Sequence, residues 1–373
     1  MNQRIPRALL SEFDARIPIQ EAWTPPSTWF SSLEFHRAEQ EHVLGKSWQP
    51  VGRLEELSEP GSYLSGCIGE DPWVVTHSMD GQLRAFHNTC RHKGREVVQG
   101  AGQACELVCG YHAWTYDLEG GLRKAPRMAG IEGFDRKEMS LPPMALSVWG
   151  PWIFVNADCD ATALDEIVAP LTRVLESGAW QRLKFHKRVT WEIQCNWKVV
   201  VDNYLDGGYH IPHMHPTLDA QLDMASYRTE LFEACSIQTS QPRNATDDRI
   251  DFDAEKRIGS EALYLWLFPN FMINRYGPCM DTNLVVPRGP DRCEVIYDFF
   301  FMQHEGPQAL QFIEESVKQS AVTQREDIAI CESVQVGLRS SSYDRGRYAP
   351  RVEMGEHHFH CLLAERLGKY LTP

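Results

Sequence analysis

No stretch of the 373 residues strings together about 18 apolar side chains, the length a helix needs to span a bilayer. Positive charge is scarce: 37 Lys and Arg stand against 51 Asp and Glu, a formal net charge of -14. That balance disfavours a nucleic-acid partner, since phosphate binding relies on clustered Lys and Arg. A cationic ligand or a basic partner suits it better. Met1 to Arg7 lacks the apolar core of a secretory signal, and Glu12 and Asp14 follow at once, so the expected location is cytoplasmic. No Gly-x-Gly-x-x-Gly element is present, so the chain brings no dinucleotide site of that type. Repeats and low-complexity tracts are missing too. Eleven cysteines in a chain this long do not make a secreted disulfide scaffold.

What is present allows two or three domains. Residues 1–45 read as a polar leader, with Pro25-Pro26-Ser27-Thr28 opening a helix that runs to Val43. Residues 46–157 read as short strands. Val74–Asn88 is expected as a hairpin about Asp80-Gly81, Tyr116–Leu122 as another turn, and Trp149–Val155 as a closing buried strand. Residues 158–373 are mixed. Helical periodicity covers Leu164–Leu175, and strands are expected over Lys187–Cys195, Leu263–Asn274, Asn283–Pro287 and Cys293–Met302. A long amphipathic helix follows from about Pro307 to Leu338. The expected fold class is α+β: an all-β domain, then an antiparallel sheet with helices to one side.

Cys90-Arg91-His92 and Cys109-Gly110-Tyr111-His112 each offer one thiolate and one imidazole from a short loop. Two cysteines on one iron and two histidines on the other form the ligand set of a Rieske [2Fe–2S] cluster. Tetrahedral zinc also takes Cys2His2, but Cys-x-His followed by Cys-x-x-His is not zinc-finger spacing. No cysteine follows His92 closely enough to bond Cys105 across the loops; the resemblance to Rieske proteins then implies the oxygenase or ferredoxin type, since the respiratory ones usually carry such a disulfide.

A second constellation spans Asp202-Asn203-Tyr204-Leu205-Asp206-Gly207-Gly208-Tyr209-His210-Ile211-Pro212-His213-Met214-His215. Two neutral imidazoles and a carboxylate, with positions left open, make a non-haem Fe(II) site. His210 is expected to end a helix begun near Trp197, and His215 to return from a loop, since Pro212 and Pro216 interrupt. Asp327 on the long helix is the candidate third ligand, with Glu326 its rival. His213 reads as a surface or outlying residue, and His357-His358-Phe359-His360 as a lesser metal candidate.

With both sites in place, the chain resembles the Rieske-type non-haem iron oxygenases, and within them the plant choline monooxygenases. Asn196-Trp197-Lys198, Asp202 to His210, Pro269 to Pro278 and Tyr343-Asp344-Arg345-Gly346-Arg347-Tyr348 carry the resemblance. It implies an N-terminal Rieske domain, a C-terminal helix-grip catalytic domain on which the leader packs, and a homotrimer. One subunit's cluster then reduces its neighbour's iron through an acidic residue. In many relatives that acid stands three positions before the first iron histidine. Here Gly207 occupies that position, so Asp206 is the candidate and Asp202 the fallback, with Asn203 beside them. Ala113 replaces the glycine usual after the second cluster histidine.

The resemblance implies mono-oxygenation with O2 and electrons from a separate reductase or ferredoxin. Choline would become betaine aldehyde hydrate, while a betaine such as glycine betaine would be N-demethylated. Ring hydroxylation or aryl demethylation is the alternative, and a pure electron carrier the third reading. Aromatic faces recognise a quaternary ammonium group, and Tyr204, Tyr209, Tyr264, Trp266, Phe268, Phe271 and Tyr276 are candidates. Tyr204, Trp266, Phe271 and Tyr276 lead them.

Overall fold

Glycine-bearing turns break the first half of the chain into hairpins, while longer alternating runs build a second, larger sheet. The structure, a computed structural model, describes residues 10–243 and 257–370. In chain order it holds α1 (Leu33–His42), β1 (Gln49–Arg53), β2 (Ser62–Ile68), β3 (Asp71–His77), β4 (Leu83–His87) and β5 (Ala101–Gln103). Next come β6 (Leu107–Val108), β7 (Thr115–Tyr116), β8 (Leu122–Lys124), β9 (Pro143–Trp149), β10 (Trp152–Asn156), α2 (Leu164–Ser177) and β11 (Lys184–Ile193). Three short helices follow: α3 (Trp197–Leu205), α4 (Ile211–Met214) and α5 (Pro216–Asp219). The rest is β12 (Arg228–Leu231), β13 (Cys235–Ser240), β14 (Ala262–Leu267), β15 (Phe271–Tyr276), β16 (Cys279–Gly289), β17 (Arg292–Phe301), α6 (Pro307–Leu338) and α7 (Met354–Gly368).

Two compact units result, Gln40–Glu166 and the remainder, so their limits differ from 45/46 and 157/158. The first unit carries a seven-stranded sheet in the order β1-β10-β9-β4-β3-β2-β5 and a three-stranded sheet β6-β7-β8. The hairpin between β3 and β4 turns at Asp80-Gly81, where Gly81 takes φ 80°. Trp149–Val155 is not one strand. Gly150, at φ 56°, turns it into a hairpin in which Trp149 pairs with Trp152.

The second unit is built on an antiparallel sheet ordered β11-β17-β16-β15-β14-β13-β12. The expected strand over Leu263–Asn274 is two strands, because Pro269 has no N–H for the ladder and the chain turns so that Leu267 pairs with Phe271. The expected leader helix is likewise divided, into a short 3-10 turn at Ser27–Phe30 and α1. Helix α3 packs on α6, α7, β16 and β17. Its first turn is anchored by a fully buried ion pair, Lys198 Nζ to Glu39 Oε1 at 2.6 Å. Trp197 Nε1 donates to the other Glu39 oxygen at 3.1 Å. Breaking such a pair would strand a buried charge, so the N-terminal turn of α3, opposite the end that leads to the histidines, is firmly anchored.

Candidate metal centres

Two loops of the first unit repeat one geometry. Cys90 N donates to Arg95 O and Cys109 N to Trp114 O, both at 2.8 Å, closing five-residue intervals. Inside each loop a second bond returns to the cysteine carbonyl, from Gly94 N at 2.9 Å and Ala113 N at 3.0 Å. The fourth residue after each cysteine is left-handed, Gly94 at φ 76° and Ala113 at φ 55°. A Cβ in that region costs about 1–2 kcal/mol, and Ala113 is exposed, so its methyl group recovers little by packing. Ala113→Gly is therefore expected to stabilise this unit by about 1 kcal/mol and raise its melting temperature by roughly 4 °C. Following the cluster absorbance on heating checks this, and an unchanged or lower midpoint counts against it.

The loops bring two buried thiols and two imidazoles together. Cys90 and Cys109 belong to the core around Trp114 and Tyr116. Burial, reinforced by the neighbouring Cys90 thiol, pushes the Cys109 thiol up, so paired thiolates here require a cation. The His92 and His112 rings lie 4.6 Å apart, and His92 stacks on Trp114 at 5.0 Å. His92 Nδ1 is buried with no hydrogen-bond partner, as a nitrogen reserved for a metal would be. Tyr116 Oη sits 3.5 Å from Cys90 Sγ and accepts from Arg91 N at 3.0 Å. His112 and Tyr111 remain exposed, which leaves the imidazole side open for electron entry and exit. Sulfur and nitrogen donors in two pairs, edged by a phenol at one sulfur, suit a two-iron cluster.

In the second unit, Asn196 caps α3 by accepting from Lys198 N at 3.0 Å. The helix stops at Leu205, earlier than expected, because Gly207 and Gly208 take φ 71° and 74°. His210 therefore does not end α3 but precedes α4, and His215 follows that single turn. Asp206 organises the loop. Its Oδ1 accepts from Gly208 N at 2.9 Å and Tyr209 N at 3.2 Å, and its Oδ2 from His210 N at 3.0 Å. The same Oδ2 lies 2.6 Å from His210 Nδ1, which fixes the ring and leaves Nε2 free to point inward.

His210, His215 and Asp327 offer donor atoms within 4.8 Å of one another. Asp327 Oδ1 lies 3.0 Å from His215 Nε2 and 3.7 Å from His210 Nε2. Glu326, the rival, reaches His215 Nδ1 at 2.7 Å and so orients the ring rather than facing the centre. Asn203 Nδ2 donates to Asp327 Oδ1 at 2.9 Å. Burial works against a protonated His215, but Asp327 and Glu326 outweigh it and raise its pKa. Two imidazoles and one carboxylate converge with the rest of their surroundings open, a donor set that fits iron.

Asp202 faces elsewhere. It lies 3.1 Å from His360 Nε2, whose Nδ1 is 2.8 Å from Tyr348 Oη. His213 is exposed. Among the aromatic candidates, Tyr204, Tyr264 and Tyr276 line the cavity at His210, His215 and Asp327, but Trp266 and Phe271 do not. Trp266 donates to Pro269 O at 3.2 Å and packs on Phe359. Phe271 falls on the opposite face of β15 from Asn274 and Tyr276, by the two-residue alternation of a strand. Tyr227, Tyr297 and Asp281 join the cavity without having been singled out in the sequence. A lone acid within an otherwise β-like run, Cys279-Met280-Asp281-Thr282, was the available signal for the last.

Residues 47–135 match the Rieske [2Fe-2S] domain family, and residues 180–369 match the ring hydroxylating alpha subunit catalytic domain. A chloroplastic choline monooxygenase of Arabidopsis thaliana is 42% identical over 370 residues, covering 96% of this chain and 86% of the relative. The carnitine monooxygenase oxygenase subunit of Acinetobacter baumannii is 29% identical over 329 residues, covering 86% and 87%. A quaternary ammonium Rieske monooxygenase solved with L-carnitine superposes with a TM-score of 0.77 at 27% identity, over 98% of this chain and 99% of that one. No helix of the described residues is long and apolar enough to cross a membrane. Two matched domains and relatives along nearly the whole length place this chain in the Rieske-type non-haem iron oxygenases, oxidoreductases with a [2Fe–2S] cluster and a mononuclear iron.

Proposed function

We propose that the protein hydroxylates choline or a closely related quaternary ammonium compound, using O2 and electrons from a separate reductase or ferredoxin. One observation carries the reading: a cavity walled by five tyrosines, Tyr204, Tyr227, Tyr264, Tyr276 and Tyr297, opens on His210, His215 and Asp327. Ring faces attract a permanent cation that cannot donate a hydrogen bond. Burial raises the pKa of each of these phenols, so the wall is neutral at physiological pH. The choline and carnitine monooxygenases among the relatives agree with a cationic substrate.

In this reading Cys90 and Cys109 hold one cluster iron and His92 and His112 the other. His210, His215 and Asp327 hold the mononuclear iron. The cluster would supply electrons singly, and the mononuclear iron would activate O2 for insertion into a C–H bond. The balance is R–H + O2 + 2e⁻ + 2H⁺ → R–OH + H2O. The chain's own residues do the positioning. Asp206 holds His210, Glu326 holds His215, Asn203 steadies Asp327, and the tyrosines exclude water from the reacting carbon. Choline hydroxylated at its carbinol carbon gives the hydrate of betaine aldehyde, whereas hydroxylation of an N-methyl group releases formaldehyde. The active form is a cytoplasmic homotrimer in which one subunit's cluster serves its neighbour's iron by way of Asp206.

The test is a product assay. Iron-replete protein with a surrogate reductase, NADH and O2 is offered choline, glycine betaine and carnitine in turn. Betaine aldehyde from choline is expected. Formaldehyde with a demethylated amine would instead make the enzyme an N-demethylase. A protein that consumes none of them, and whose turnover of aromatic substrates tetramethylammonium does not inhibit, would belong with the ring-hydroxylating enzymes.

A further inference from the structure

The cavity holds one carboxylate that no step so far employs. Asp281 lies on β16, opposite Asn274 of β15 and Phe299 of β17. Only 6% of it is exposed. Its Oδ2 accepts from Asn274 Nδ2 at 2.8 Å and from Asn283 Nδ2 at 3.3 Å. Among the described residues no donor reaches Oδ1 and no cationic side chain comes within ion-pair distance. Asp281 nevertheless lines the cavity. Burial pushes its pKa up to about 6, and the two amides and the more distant Arg257 offset part of that cost. Two amides hold the carboxylate, but among the described residues no cation pairs with it, so its charged form lacks a counter-ion.

Such a charge is expensive unless something compensates it. The surroundings specify what can. Asn274 Oδ1 accepts from Tyr204 Oη at 3.0 Å, which ties the carboxylate to the aromatic wall. Tyr264 packs edge to face with Tyr276 at 5.7 Å and 77° and with Tyr204 at 6.5 Å and 76°, and all three rings line the cavity. Arg257 also lines the cavity, its guanidinium carbon 5.0 Å from the Tyr276 ring centroid. A free carboxylate oxygen among ring faces provides charge without demanding a hydrogen bond from its partner.

Resting on the quaternary ammonium reading above, we infer that Asp281 is the counter-ion of the substrate's ammonium group and the residue that makes the site select a cation over a neutral molecule of the same shape. The substrate class is thereby narrowed to compounds whose permanent positive charge lies in the cavity itself. The amides of Asn274 and Asn283 are positioning residues that hold Oδ2 and leave Oδ1 to the ligand.

The experiment compares choline with 3,3-dimethylbutan-1-ol, in which carbon replaces the charged nitrogen. Both are titrated calorimetrically into the iron-replete holoenzyme without reductant, so that no turnover occurs. The wild type is expected to prefer choline by roughly 100-fold, the scale of one compensated buried charge. Asp281→Asn should lose most of that preference while binding the neutral alcohol within a few-fold of wild type. Retained binding of the alcohol also reports that the cavity is folded. Asp281→Ser removes the charge without adding an amide, and the same pattern is expected of it. Undiminished choline preference in both variants overturns the inference, and so does equal weakening of both ligands. A wild type that shows no preference for choline would overturn the quaternary ammonium reading itself, which keeps the two failures apart.

Discussion

Asp206→Asn is expected to leave both metal centres loaded and to lower turnover by roughly 100-fold or more, the upper end of what losing a ligand's outer partner costs. The carboxylate accepts from three backbone N–H groups and lies against the His210 ring. An amide keeps one oxygen for the Gly208–Tyr209 side. Its NH2 then faces the donors of His210, N–H against N–H, and the ring loses its anchor. If Asp206 is also the path between the two centres, the oxidation of the reduced cluster slows further. Rapid-reaction measurement of cluster reoxidation with substrate and O2 present, beside iron and sulfide counts, separates these contributions. Wild-type turnover with full metal content would remove Asp206 from the mechanism. Loss of the mononuclear iron would show that its role is to hold the site rather than to connect it.

Gly207→Ala carries the largest structural effect. A Cβ built there lies 2.2 Å from the Val352 carbonyl oxygen, a backbone atom that cannot swing aside, and the residue sits at φ 71°. Left-handed backbone costs an alanine about 1–2 kcal/mol, and forcing a methyl group into packed structure costs roughly 1–3 kcal/mol more. The second unit should therefore lose about 3 kcal/mol, or roughly 6–12 °C in melting temperature. The mononuclear iron should go with it while the cluster spectrum persists. Simultaneous loss of both centres would point to general misfolding. Any side chain at 207 would strike the backbone at Val352 on the approach to α7, whereas Asp206 caps α3 one residue earlier.

The cluster loops illustrate what local sequence reveals. Thiolate and imidazole spacing within a tight turn is a property of a few consecutive residues, and Cys90, His92, Cys109 and His112 meet as that spacing suggests. The long helix was equally legible, since Pro307 suits a first turn and apolar periodicity runs on to Leu338. Hairpins inside apolar runs were not. Gly150-Pro151 and Pro269 interrupt stretches whose composition is uniformly β-like, and the turn appears only once the flanking strands pair.

By itself the sequence determined the two donor constellations and the α+β division. Each follows from residue types and short spacings that no packing can alter. Tertiary structure decided between near neighbours. Glu326 and Asp327 differ by about 100° around α6, so only the packing of α6 on α3 could aim one at the centre and the other at the back of His215. Asp202 and Asp206 share a face of α3, yet α7 draws one to His360 while the Gly207-Gly208 turn folds His210 onto the other. Strand register set Asn274 against Asp281 and carried Tyr264 and Tyr276 to the cavity while turning Phe271 away. Helix phase and sheet register become fixed only when distant segments bury their apolar faces together, and spacing along the chain does not encode them.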